Sequence, residues 1–140
     1  MIPQTSNTHN FVAVPLNEVD PDTGDYHTIV RYDQFVKQLL KADSDAMMKI
    51  HAAVGVAGEA GELLDAIKKV YIYGQALTEK HLINIVEELG DLEFYMQAMR
   101  NLFSLDRQTI LESNAVKLAK RYRQLTFTTQ ESIDRKDKSE

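Results

Sequence analysis

The chain has no cysteine among its 140 residues, which excludes a disulfide framework, a thiolate metal site and a cysteine nucleophile. That absence fits a reducing compartment, and the expected location is cytoplasmic. No stretch approaches the ~18 consecutive apolar residues of a membrane-spanning helix, so no membrane partner is expected. The opening Met1-Ile2-Pro3-Gln4-Thr5-Ser6 lacks the basic start and apolar run of a secretory leader. Basic residues are in deficit: 16 Lys and Arg stand against 21 Asp and Glu, a formal charge of −5. A balance of that sign argues against a nucleic-acid polymer bound through its phosphates. It also makes a small polyanionic substrate dependent on metal ions or on local basic residues. Proline is confined to positions 3, 15 and 21.

What is present is a globular composition, 44% hydrophobic and 26% charged, in a length suited to one domain with a real core. Residues 1–27 read as an irregular N-terminal segment, punctuated by the prolines and by the turn-like Asp20-Pro21-Asp22-Thr23-Gly24-Asp25. An extended piece at 11–16 is too little to define a sheet. Residues 28–125 read as helical. Thr28 caps a first helix to about residue 42, with Tyr32, Phe35, Val36, Leu39 and Leu40 at 3–4 spacing. Asp43 or Ser44 starts a second helix through Tyr73, closed by Gly74 in the left-handed conformation. Thr78 caps a third to about 104, and Asp106 a fourth to about 124. Residues 126–140 form a polar tail that is expected to fray. The fold class is all-α: a four-to-five-helix bundle with a central antiparallel helical hairpin.

At 100° per residue, Val56, Leu63, Leu64, Ile67, Val70 and Tyr71 make the apolar face of the second helix. Ile85, Leu92, Met96, Met99 and Phe103 make that of the third, while Ile83, Val86 and Phe94 lie on another side. A lone domain would leave one of those two faces wet, so a homo-oligomer, dimer or tetramer, is expected. Three glycines, at 55, 58 and 61, interrupt the second helix, each at a cost of about 1 kcal/mol. Either a neighbouring helix packs on the backbone there or space is kept for substrate.

The chemistry lies in two acidic pairs, Glu59-Ala60-Gly61-Glu62 and Glu88-Leu89-Gly90-Asp91. A single i, i+3 acidic pair is usually a solvated helix face. Here both pairs border an apolar stripe, where exposed charge is not expected. They are also matched about the helix break: Glu59 with Asp91, and Glu62 with Glu88, are equidistant from Gln75. Folded back as a hairpin, the four carboxylates meet at one height, and like charges so held repel unless a cation sits between them. Carboxylates with no His or Cys at the same spacing favour Mg²⁺ or Mn²⁺ over zinc. His51 and His81 lie about two turns away. On the fourth helix Asn114, Lys117 and Arg121 form one polar stripe. Alone it is an ordinary basic face near a helix C-terminus; beside four acids and a metal it becomes a phosphate clamp.

Three segments together resemble a known family. His51-Ala-Ala-Val-Gly-Val-Ala-Gly-Glu59-Ala-Gly-Glu62-Leu-Leu-Asp-Ala-Ile-Lys-Lys69, Glu87-Glu88-Leu-Gly-Asp91-Leu-Glu-Phe-Tyr95 and Asn114-Ala-Val-Lys117-Leu-Ala-Lys-Arg121-Tyr122 are similar to the MazG-like members of the all-α nucleoside triphosphate pyrophosphohydrolases. The resemblance covers residues 46–123 and implies cleavage between the α and β phosphates of a nucleoside or deoxynucleoside triphosphate. It implies that Glu59, Glu62, Glu88 and Asp91 bind Mg²⁺, and that Asn114, Lys117 and Arg121, with Tyr122, lie near the phosphates. Glu59 is the expected general base, and Tyr95, His51 or the N-terminal segment the expected wall for the nucleobase. Two departures stand out. Gly58 replaces a glutamate that many relatives carry, and Arg123-Gln124-Leu125-Thr126-Phe127 replaces a proline and an aromatic. The rival readings are a related hydrolase of phosphoribosyl-ATP or of an alarmone, and a non-catalytic helical interaction module.

Overall fold

In the computed structural model, which describes residues 11–138, helix dominates. The opening hexapeptide lies outside the described residues. The order is β1 (Phe11–Pro15), β2 (His27–Arg31), α1 (Tyr32–Leu39), α2 (Asp45–Tyr71), α3 (Glu79–Leu102), α4 (Arg107–Arg121) and α5 (Thr129–Asp134). The all-α class holds, with one small hairpin added. The chain divides into two compact units, one ending at Leu102 and one beginning at Phe103.

In the first unit, the start departs from the sequence reading. The extended piece at β1 finds a partner in β2, antiparallel, with Phe11 opposite Arg31 and Pro15 opposite His27. Residues 28–31, expected as the first turn of a helix, are therefore strand. Thr28, Ile29 and Val30 are β-branched and favour the pleated conformation. Residues 11–27 are thus a hairpin arm and its loop, not an irregular run. In that loop Asp20 Oδ1 accepts from the N–H groups of Asp22 at 2.8 Å and Thr23 at 3.2 Å. Gly24 takes a φ of 76°, open to it because it has no Cβ. The first helix accordingly begins at Tyr32 and ends at Leu39.

The central hairpin follows the sequence closely. Ser44 caps α2, its hydroxyl accepting from Met47 N–H at 3.4 Å. Gly74, at φ 70°, closes that helix, while the N–H groups of Tyr73 and Gln75 reach back to the carbonyls of Lys68 and Lys69. Thr78 precedes α3, and its hydroxyl meets His81 Nδ1 at 2.8 Å while His81 Nε2 meets Gln75 Oε1 at 3.2 Å. His81 is therefore engaged in the helix start. Val36, Ala52 and Ala98 form the buried core, with Tyr32, Leu40, Phe94, Met99 and Leu102 packed against it. Ala52 and Ala98 are themselves equidistant from Gln75, so α2 and α3 pack in the register implied by the acids. Phe94, expected on the second apolar side of α3, belongs to this core, whereas Met96 and Phe103, expected on the core face, are exposed. Leu64 and Tyr71 of α2 are exposed as well. The far end of α3 is pinned by polar groups: Arg100 donates to Gln97 Oε1 and Glu93 Oε1, and Asn101 Nδ2 donates to the Asp33 carbonyl at 2.8 Å.

In the second unit, Asp106 caps α4, accepting from Thr109 N–H at 2.9 Å. α4 ends at Arg121, three residues before the expected 124, and has no fully buried residue. The tail, expected to fray, holds α5, because Thr128 and Glu131 stand in a capping spacing. Glu131 N–H donates to Thr128 Oγ1 at 3.2 Å, and that hydroxyl donates to Glu131 Oε2 at 2.9 Å.

Candidate metal centre

Glu59 lies in the middle of α2, and Glu88 and Asp91 lie one turn apart on α3. The hairpin brings these three together: one carboxylate oxygen from each falls within 4.8 Å of the other two. Glu59 and Glu88 are half-buried and Asp91 is exposed. Glu62 is exposed and stands outside the trio. Its charge nevertheless acts on Glu59. Burial first, then the charges of Asp91, Glu62 and Glu88, hold the Glu59 carboxyl above the usual glutamate range.

The donor chemistry suits a hard divalent cation. Three carboxylates on facing helices offer oxygen alone, the preference of Mg²⁺ and Mn²⁺. Asn84 Nδ2 donates to Glu88 Oε1 at 2.7 Å and so orients one of the three carboxylates. Two lysines of α2 are committed elsewhere: Lys68 and Lys69 meet Asp65 at 2.7 and 2.9 Å. Together they lower the Asp65 carboxyl to about 2.

Beside the trio, the Tyr95 ring lies so close to the Gly55 backbone that a Cβ there would strike it. This resolves one of the glycine questions in favour of packing. Gly58 and Gly61 differ, since a Cβ at either would meet nothing within 4 Å. The His51 and Tyr95 rings are 5.9 Å apart, and Phe94 meets Tyr95 edge-on at 5.3 Å. From α1, Tyr32 stands in the same acidic surroundings. Burial, then Glu93, and more weakly Asp91 raise its phenol pKa against the pull of Arg100.

In the second unit, the sequence-defined stripe divides. Asn114 and Lys117, with Thr109, Ile110 and Ser113, line a shallow cavity of about 460 Å³. Arg121 is instead engaged by Asp137, Nε to Oδ1 at 2.7 Å and Nη2 to Oδ2 at 2.8 Å. The Tyr122 ring sits 5.8 Å from that of Phe127. Sequence reasoning assigned no role to Asn84, Tyr32 or Asp137. The i, i+4 spacing of Asn84 and Glu88 was a readable signal; the other two act across long stretches of chain and left none.

No helix among the described residues is long and apolar enough to cross a membrane. Comparison with curated proteins and with solved structures gave no match. Residues 50–126 match the family model of the MazG nucleotide pyrophosphohydrolase domain. That span takes in the carboxylate trio, Asn84, Tyr95 and the polar stripe of α4. With more than half its length matched in this way, the chain belongs to the MazG nucleotide pyrophosphohydrolase family.

Proposed function

We propose that the protein is a Mg²⁺-dependent pyrophosphohydrolase of nucleoside and deoxynucleoside triphosphates, releasing a monophosphate and pyrophosphate. The observation that carries this reading is the gathering of Glu59, Glu88 and Asp91 within 4.8 Å on facing helices inside the span that matches the family. Glu62 joins them in the proposed ligand set. A divalent cation held there, Mg²⁺ or Mn²⁺, supplies Lewis acidity and offsets phosphate charge.

The remaining roles fall to side chains. Glu59, whose proton affinity is raised by burial and by its acidic neighbours, is the base that takes the attacking water's proton. Lys117 and Arg121 bind the developing charge on the departing pyrophosphate, with Asn114 donating an amide N–H. Tyr95, steadied on Gly55 beside His51, offers a ring face to the nucleobase, and Tyr122 supports the phosphate side. Large apolar side chains left exposed on the hairpin, Val86 at 68% and Leu64 at 64%, favour a homo-oligomer, dimer or tetramer. The role is control of nucleotide pools in the cytoplasm.

The test is hydrolysis of the common ribo- and deoxyribonucleoside triphosphates in ¹⁸O-labelled water with Mg²⁺, phosphoribosyl-ATP and an alarmone being run beside them. Label in the monophosphate with unlabelled pyrophosphate is the expected result. Orthophosphate as the first product, or preference for either of the other substrates, would replace this reading by a related hydrolase. No Mg²⁺-dependent product from any of them would leave a non-catalytic interaction module.

A further inference from the structure

We propose that the C-terminal segment is an autoinhibitory latch, in which the Asp137 carboxylate occupies the guanidinium edge of Arg121 that a polyphosphate must take. The proposal rests on the assignment of Arg121 to substrate phosphate. Both oxygens of Asp137 are used, on Nε and Nη2 at 2.7 and 2.8 Å. This fork-to-fork geometry is the one a guanidinium offers a phosphate. The contact is largely shielded from water: the Asp137 side chain has 0% exposure and that of Arg121 15%. A second guanidinium converges on the same carboxylate, with Arg135 Nε 3.6 Å from Asp137 Oδ1. Arg121, by its hydrogen bonds, holds the Asp137 carboxyl well below the usual range, so the latch stays charged near neutral pH.

Two observations make this a latch and not a support for the arginine. The family match ends at residue 126, so Arg121 belongs to the shared domain and Asp137 lies beyond it. A carboxylate needed to aim a catalytic arginine belongs inside the domain; one brought by an appended segment modulates it. The segment is also lightly held. α5 has six residues and none is buried, Arg135 takes a φ of 50°, and the bond from Arg123 N–H to Glu131 Oε1 is long, at 3.3 Å. A polyphosphate, with several charges against one, replaces the bonds that Arg121 gives up as it displaces this segment.

The experiment compares the full-length parent with Asp137→Asn, Asp137→Ala and Arg121→Ala. It measures kcat and KM for the best nucleotide and, by calorimetry, the affinity for inorganic tripolyphosphate. Opening the latch should lower both KM and the tripolyphosphate Kd by about three- to tenfold, as when the competent fraction rises from a tenth or a third to unity. kcat should not fall, and the effect should vanish when Arg121→Ala is added. Unchanged or weaker affinity in the Asp137 variants, or a lowered kcat, overturns the latch. If no nucleotide is hydrolysed the proposed function falls, and the tripolyphosphate affinities still judge the latch. In the parent itself, the Arg121 Nε–H resonance should shift as tripolyphosphate binds; a resonance unmoved at saturation refutes the displacement.

Discussion

Replacing Asp91 by asparagine should raise the stability of the metal-free protein and lower that of the Mg²⁺-loaded protein. Two unit charges at the 4.8 Å outer separation of the trio repel by about 0.9 kcal/mol in bulk water. The figure is about 3.5 kcal/mol at an effective dielectric of about 20. Asp91 is exposed while its two neighbours are half-buried, so the low end applies, about 1 kcal/mol per pair. Asp91→Asn removes two such pairs and keeps the side-chain volume, a gain of about 1–2 kcal/mol. That is about 3–6 °C in Tm for a chain of this size. With Mg²⁺ at a hundred times its Kd, the parent gains about 2.7 kcal/mol by mass action. The variant, short of one ligand and one charge, gains little. Calorimetric melts of both proteins in EDTA and in millimolar Mg²⁺ should therefore cross. Loss of stability for Asp91→Asn in EDTA, or a parent Tm indifferent to Mg²⁺, would refute the convergence of charge on this site.

Other outcomes follow from particular contacts. Gly55→Ala places a Cβ into the Tyr95 ring and should cost about 1–3 kcal/mol, with a changed near-UV spectrum. Gly58→Ala, with open space before it, should gain up to about 1 kcal/mol of helix propensity; denaturant unfolding of the pair decides. Asn84→Ala frees Glu88 from its 2.7 Å partner and should raise the Mg²⁺ concentration for half-maximal activity about tenfold, read from a metal titration. Asp65, lowered to about 2 by Lys68 and Lys69, contributes stability above its unfolded pKa of about 3.9 that is lost as pH falls toward 2. The parent should thus melt slightly higher than Asp65→Asn at pH 7, and the difference should shrink as pH falls through 2.

The helical hairpin and its acids were legible because the information is local and periodic. Ser44, Gly74, Thr78 and Asp106 mark the helix ends in the sequence, and equal distances from Gln75 give the register that Ala52 and Ala98 confirm. The hairpin of β1 and β2 was not legible, because Thr28-Ile29-Val30 fits either a helix start or a strand until Phe11–Pro15 pairs with it. The burial of Phe94 was not legible for a related reason: a wheel gives the angle around α3, while the burial of that angle depends on α1 packing against it. The tie between Arg121 and Asp137 joins residues 16 apart, beyond the reach of any helical spacing. Exposed Ile83 and Val86 match the sequence expectation of a second apolar face on α3, whereas exposed Leu64 and Tyr71 depart from their expected place on the core face of α2.

The central claim is that Glu59, Glu88 and Asp91 form a metal centre that works on a nucleotide. Its most direct test is pyrophosphate release by Glu88→Ala and Asp91→Ala at saturating Mg²⁺, with circular dichroism confirming the helical fold of each. Both variants should retain the parent's helix content and lose at least about a hundredfold in rate. Turnover close to the parent's in either folded variant would contradict the account.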